Sequence, residues 1–250
     1  MSFKVVIPAR YASARLPGKP LLDIAGRAMI EWVVASAANS GAEEVLVATD
    51  DPRIAERVGE RAVMTQASHQ SGTDRIAEVA RVRGWSERTI VVNVQGDEPQ
   101  LPPAIIGQVA SLLERHADAD IATLCTPIAS LDEFLDPSAV KVVTSETGAA
   151  LYFSRAPIPF DRDGASRGLA SQSRFEGAYR HLGLYAYRVD ALKRLSELPV
   201  SSLERIEKLE QLRALQAGMK IVVAVAASPP PAGVDTPEDL ERVRAALAQR

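Results

Sequence analysis

Residues 89–100 read TIVVNVQGDEPQ. Ile90–Val94 is an apolar run that stops at Gly96 and an acidic pair, Asp97 and Glu98. A short run of this kind, bounded by a turn residue, reads as a strand buried on both faces. Working outward, GTDRIAEVARVRG (72–84) sets Ile76, Val79, Ala80 and Val82 near helical spacing. On the other side a helix is expected over roughly Pro103 to His116. The same alternation runs back to the start of the chain. A strand at Val45–Thr49 precedes a helix from about Pro52 with Asp51 as its cap. Val5–Ile7 is a strand, and Met29–Ser40 a helix ended by Gly41. Strands alternating with helices imply an α/β fold with a mostly parallel, doubly wound sheet covered on both faces.

From Ile121 the texture changes. IATLCTPI (121–128) and AVKVVTSETGAALYFSR (139–155) hold strands, the latter a β-hairpin turning at Glu146–Gly148 and inserted into the α/β layer. Residues 156–180 lose periodicity and collect charge, as functional loops do. HLGLYAYR (181–188) returns as a strand. Ser201 and Glu204 form a capping box for a helix expected to run to Gln216 and close at Gly218. A strand at Lys220–Ala226 and a helix with Thr236 as N-cap and Pro237 at its first position complete the chain. The organisation expected is a single domain. It divides into about 1–118, about 119–218, and a closing strand and helix at about 219–250.

The composition excludes several classes. A net charge of −3, with 46% hydrophobic and 24% charged residues, does not suit a general nucleic-acid binder. One cysteine, Cys125, leaves no intramolecular disulfide and suits a reducing cytoplasm. No apolar run is long enough for a signal peptide or a membrane span, so no membrane partner is expected.

The chemistry sits where strands meet loops. Arg10, Arg15 and Lys19 follow the first strand, with no acid between Ala9 and Pro20, an arrangement suited to polyphosphate. It is neither a P-loop, since Pro20 follows the lysine, nor a dinucleotide fingerprint. The bland alternative is a solvated loop. Asp97 lies just past a strand's C-terminal end, where ligands of parallel sheets gather. Asp97 and Asp235 would hold Mg²⁺ if the fold joins them; alone, Asp235 reads as a turn residue. Asp50 and Asp51 are rivals that read as turn and cap. His69, His116 and His181 lack zinc-ligand spacing, and no serine has a nucleophile-elbow context.

Seven segments in this order carry a resemblance: IPARYASARLPGKPL, ASHQSGTDR, VNVQGDEPQ, ALYFSRAPIPFDRD, RHLGLYAYR, LEQLRAL and GVDTPEDLERV. Together they resemble the 3-deoxy-manno-octulosonate cytidylyltransferases, or CMP-Kdo synthetases, from Phe3 to about Leu247, with residues 161–178 contributing least. The resemblance implies a nucleotidyltransferase-like fold of GT-A type and the reaction CTP + Kdo → CMP-Kdo + diphosphate with Mg²⁺. Arg10, Arg15 and Lys19 would then neutralise the triphosphate. Pro8, Ala9, Ser71, Gly72 and Arg75 would shape the nucleotide pocket, and Gln95 would meet ribose or sugar hydroxyls. Asp97 and Asp235 would hold one or two Mg²⁺ ions, one polarising the α-phosphate and a second activating the anomeric hydroxyl.

For the sugar, Arg155 and Arg180 are both candidates for the carboxylate, and His181, Tyr185 and Glu210 would orient hydroxyls. From residue context alone, Tyr185 reads as a strand aromatic. Glu210, inside ERIEKLEQLR, reads as part of a solvated helix face. The resemblance also implies a nucleotide-binding half at about 1–118, a sugar-binding and dimerisation region at about 119–218, and a homodimer through the hairpin at 139–155. Two other functions stay open: a cytidylyltransferase for another acidic sugar, such as 8-amino-Kdo or a sialic acid, and a non-catalytic nucleotide-sugar sensor.

Overall fold

The computed structural model describes residues 2–12 and 16–248. In chain order, β1 (Lys4–Ala9) leads through a single 3-10 turn at Lys19–Leu21 to a ribbon of β2 (Asp23–Ile24) and β3 (Arg27–Ala28). Then follow α1 (Met29–Ala38), β4 (Glu44–Thr49), α2 (Pro52–Val58), β5 (Ala62–Met64), α3 (Gly72–Val82), β6 (Ile90–Asn93) and α4 (Pro103–Arg115). The second half adds β7 (Ile121–Pro127), α5 (Leu131–Leu135), β8 (Lys141–Thr144), β9 (Ala150–Ser154), β10 (Tyr179–Arg188) and α6 (Val189–Glu197). It ends with α7 (Ser202–Glu207), α8 (Gln211–Gln216), β11 (Ile221–Val225) and α9 (Pro237–Leu247).

Among the described residues one sheet has the order β11-β7-β10-β6-β1-β4-β5. β1 pairs in parallel with both β4 and β6, so the winding reverses at β1 and opens a crevice beyond the C-terminal ends of β1 and β6. β10 is the antiparallel exception, lying between β6 and β7. The hairpin β8–β9 forms as expected, with Ser145 N–H donating to Ala149 C=O across its turn. It also pairs with β10, which joins it to the central sheet.

The apolar strands bury residues on both faces. Val5, Ile7, Val92 and Val94 pack with α1 and α4, whereas Val6, Leu46 and Val91 pack with α3 and α6. Polar caps fix the helix starts: the hydroxyls of Ser71, Ser201 and Thr236 accept from Asp74, Glu204 and Asp239 N–H respectively. Asp51 caps α2 as expected.

Beyond the short β2–β3 ribbon, β5 and α5, which the sequence reading did not name, two elements differ from it. The helix expected from Ser201 to Gln216 is broken: α7 stops at Lys208, which adopts φ 55°, and α8 starts after Glu210. At the break Glu207 turns onto the end of β9, accepting from Ser154 Oγ and Arg155 N–H. Glu210 turns the other way, toward the sheet. The requirements of those two carboxylates override helical propensity. Secondly, α6 follows β10 with no glycine or proline to announce it, so the boundary carries no sequence signal; Val189, Leu192 and Leu195 bury its inner face.

A left-handed lysine is strained where glycine would not be. Lys208→Gly is expected to raise unfolding stability by about 0.5–1 kcal/mol in urea titrations. An unchanged or lower midpoint would show that the strain is already offset.

Candidate active site

Three segments converge at the C-terminal edge of β1. The turn after β6 crosses directly over Pro8: a Cβ on Gly96 would sit 3.0 Å from the Pro8 carbonyl oxygen. Any side chain there would crowd the Pro8 carbonyl, so glycine suits this approach. Gly72, at the start of α3, lies against the Pro8 ring from the other side. The loop after β1 closes on itself through Gly18 N–H donating to Tyr11 C=O, with Gly18 at φ 69°. That closure delivers Lys19.

Lys19 Nζ lies 2.6 Å from Asp97 Oδ2 and 3.2 Å from Asp235 Oδ1. The carboxylates are far apart in the sequence, and the backbone explains their meeting. Val234 N–H donates to Asp97 C=O at 2.9 Å, docking the segment before α9 onto the turn after β6. Lys19 is nearly shielded at 12% side-chain exposure, while Asp97 and Asp235 remain 38% and 54% exposed. They can therefore still reach a ligand. Among the described residues no group of three or more His, Cys, Asp or Glu forms a metal cage. Two partly exposed carboxylates beside a lysine are a donor set that fits Mg²⁺, which keeps waters and takes ligand oxygens for the rest.

Two clefts adjoin this point. A third, of about 570 Å³ between α1 and α2, lies elsewhere on the surface and carries none of the expected site residues. Of the adjoining two, the larger is about 760 Å³ and is lined by Glu98, Arg180, His181, Tyr185, Gly233 and Asp235 among others. The smaller, about 230 Å³, is lined by Gly72, Thr73, Asn93, Gln95, Tyr185, Tyr187 and Glu210 among others. Tyr185 belongs to both. Gln95 Nε2 donates to Gly183 C=O, tying the turn after β6 to β10.

The polar groups here are held in largely dry surroundings. His181 Nε2 is 3.0 Å from Thr123 Oγ1, with the Phe153 ring edge-on at 4.9 Å. Burial pushes its imidazole down to about 3, so it is neutral at physiological pH. Burial raises the Glu210 carboxyl above the usual range against the opposing pull of the Thr73 hydroxyl and Arg213. Its Oε1 has no protein partner, and neither has Asn93 Oδ1. Glu98 is pushed up to about 7, by burial first and then by the charge of Asp97, with Arg180 opposing.

The remaining expected residues divide clearly. Arg10 follows β1 and donates to His69 C=O. Arg180 faces the large cleft 3.3 Å from Glu133. Arg155 lines neither cleft: its guanidinium donates to Glu207 C=O at 2.7 Å and Pro137 C=O at 2.9 Å. Arg75 is fully buried, contacting Thr65 Oγ1 and Asp50 Oδ2, so its charge supports the β4 end and not an open pocket. Asp50, read as a turn residue, is the partner of that buried arginine. Ser71 spends its hydroxyl on the α3 cap. Arg15 lies outside the described residues.

Asn93, Tyr187, Thr73 and Glu98 had no assigned role. Thr73 and Glu98 gave no signal of one, whereas Asn93 is a polar residue inside an apolar strand and Tyr187 stands two positions after Tyr185 on the same strand face. Their rings stack with centroids 5.7 Å apart.

A buried neutral histidine sets a pH dependence. His181 has a folded-state pKa below its unfolded value, so the unfolded chain binds more protons below about pH 6.5. The stability it permits is present above that pH and is lost as pH falls toward about 3. His181→Gln is expected to lose about 1–3 kcal/mol less than the parent between pH 7.5 and 4.5. Melts at the two pH values check this; parallel losses would place the charged form in water.

A parallel sheet whose switch point gathers a lysine, two carboxylates and polar clefts is the layout of a nucleotidyltransferase. The family model described as cytidylyltransferase matches residues 4–221. The 3-deoxy-manno-octulosonate cytidylyltransferase of Thioalkalivibrio sulfidiphilus (strain HL-EbGR7) is 56% identical, covering 99% of each chain. That of Vibrio vulnificus (strain YJ016) is 53% identical over the full length of both. A solved structure of CMP:2-keto-3-deoxy-manno-octonic acid synthetase complexed with CTP matches with TM-score 0.88 and 44% identity, over 99% of this chain and 98% of that one. The chain belongs to the 3-deoxy-manno-octulosonate cytidylyltransferase family.

Proposed function

We infer that this protein transfers CMP from CTP to the anomeric hydroxyl of Kdo, releasing diphosphate. The observation that carries the reading is the meeting of Lys19 with Asp97 and Asp235 at the sheet's switch point. The family relatives, one solved with CTP, supply the substrates.

In this reading Arg10 and Lys19 bind the triphosphate, with Pro8, Ala9, Ser71 and Gly72 forming the adjacent wall. Asp97 and Asp235 are the residues that would hold Mg²⁺, which when bound would supply charge withdrawal from the α-phosphate. Lys19 exchanges its carboxylate partners for phosphate oxygens as the nucleotide binds, and then neutralises the leaving diphosphate. Gln95, Tyr185, neutral His181 and Glu210 orient sugar hydroxyls. The unpartnered Glu210 Oε1 and Asn93 Oδ1 support a polar ligand there, because buried acceptors are costly when left unpaired. Arg180 is favoured over Arg155 for the sugar carboxylate, since only Arg180 faces the large cleft. The sugar oxygen bonds to the α-phosphorus in line as the bond to the bridging oxygen breaks.

Assembly as a two-fold homodimer through β8–β9 is supported by exposed Leu151 on β9 and exposed Ile206 on neighbouring α7. A cytoplasmic location is supported by the use of CTP and by buried, free Cys125. No described helix is long and apolar enough to cross a membrane.

Diphosphate release with CTP, Mg²⁺ and Kdo, compared with the same mixture lacking Kdo, tests the reaction. Kdo-dependent release is expected; none, or equal release with ATP or GTP, would overturn the assignment.

A further inference from the structure

Helix side chains lean back over the turn that precedes them. Glu78, in the second turn of α3, reaches back to the loop at residues 66–71 that feeds the helix. Its Oε2 accepts from Gln66 N–H at 2.9 Å and from the His69 ring Nε2 at 2.6 Å. One oxygen thus grips both ends of a four-residue stretch. The two side chains are largely shielded, at 11% and 19% exposure. Burial raises the Glu78 carboxyl, but the Gln66 N–H and His69 outweigh it, holding the carboxyl below its usual value and charged at neutral pH.

His69, fixed by its ring, presents its main-chain carbonyl to Arg10, whose Nη2 donates to it. The relay runs from carboxylate to imidazole to loop backbone to guanidinium. Its chemistry differs from a direct ion pair. A carboxylate against Arg10 would neutralise the charge that the triphosphate needs, whereas a neutral carbonyl orients the guanidinium and leaves that charge in place. An arginine already oriented has less side-chain freedom to lose when nucleotide binds.

We propose that Glu78, acting through His69, is a positioning residue that sets Arg10 for the triphosphate. The inference rests on the reading of Arg10 given above.

The test is a double-mutant cycle in the full chain, reading KM for CTP and kcat by diphosphate release with Kdo and Mg²⁺. Losing a hydrogen bond to a charged group predicts that Glu78→Ala raises KM for CTP about tenfold, with a smaller change in kcat. Glu78→Gln, which keeps one acceptor oxygen, is expected to fall between. In an Arg10→Ala background Glu78→Ala should change KM less than about twofold, because coupled residues are not additive. An equal effect in both backgrounds would mean that Glu78 merely supports the loop, and would overturn the proposal. If Arg10→Ala matters and Glu78→Ala does not, this inference alone fails. If Arg10→Ala leaves KM unchanged, the reading of Arg10 fails first. Should Glu78→Ala not fold, His69→Ala removes the ring, keeps the carbonyl and completes the same cycle.

Discussion

Asp97→Asn is expected to slow turnover of CTP with Kdo by about 10²–10³-fold, the usual cost of removing one electrostatic element of a transition state. CTP binding should weaken far less, because metal charge is needed most as the phosphoryl group transfers. The substitution preserves size. The main-chain carbonyl of Asp97 that accepts from Val234 N–H is untouched, so the docking of the segment before α9 should survive. Asp235→Asn should act alike, since Lys19 Nζ contacts both carboxylates. The double variant should lose little beyond the worse single one, as groups that serve one function are not additive. Diphosphate-release kinetics across a Mg²⁺ series measure all three. Full additivity, or a near-parental rate for Asp235→Asn, would separate the two carboxylates.

Asp50→Asn makes an informative contrast. Asp50 contacts Arg75, which is 0% exposed. Its loss should therefore be felt in stability, as an unpaired buried charge, before it is felt in catalysis.

The first half of the fold was legible because local signals agree there. Apolar runs, Asp51 as a cap, Pro52 and Gly41 all specify the same strand–helix alternation. Asp97 was legible for the same reason: a strand end in a parallel sheet is a known place for ligands. Where sequence reading failed, tertiary demands decided. Lys208 sits in the left-handed region because Glu207 and Glu210 are drawn to opposite partners, and no local pattern announces that. Glu210 looked like a solvated face of one helix; it is a largely enclosed carboxyl beside Thr73. Arg75 reads as a ligand group through the motif that the resemblance carries, and Arg155 because a sugar carboxylate calls for a cation. Their partners, Asp50 and the Glu207 carbonyl, are distant in sequence and visible only in the fold.

Lys19→Met separates two ways in which Lys19 could matter. The methionine keeps a long apolar stem and removes only the charge. Turnover should fall about 10²–10³-fold, because the positive charge that follows the departing diphosphate is gone. Binding of Mg²⁺ by the nucleotide-free protein should move in the opposite direction. Lys19 Nζ is within 3.2 Å of both carboxylates, so a dication must displace it to reach them. Without the ammonium, Asp97 and Asp235 face each other with like charge, and a divalent ion relieves that repulsion. Metal affinity should therefore rise in Lys19→Met, whereas it falls in Asp97→Asn. Calorimetric titration with Mg²⁺, or Mn²⁺ as a paramagnetic substitute, distinguishes the two signs. If Lys19→Met binds divalent metal no better than the parent, the carboxylates that hold Lys19 are not the ones that hold the ion. If it turns over at the parental rate, some other cation neutralises the diphosphate.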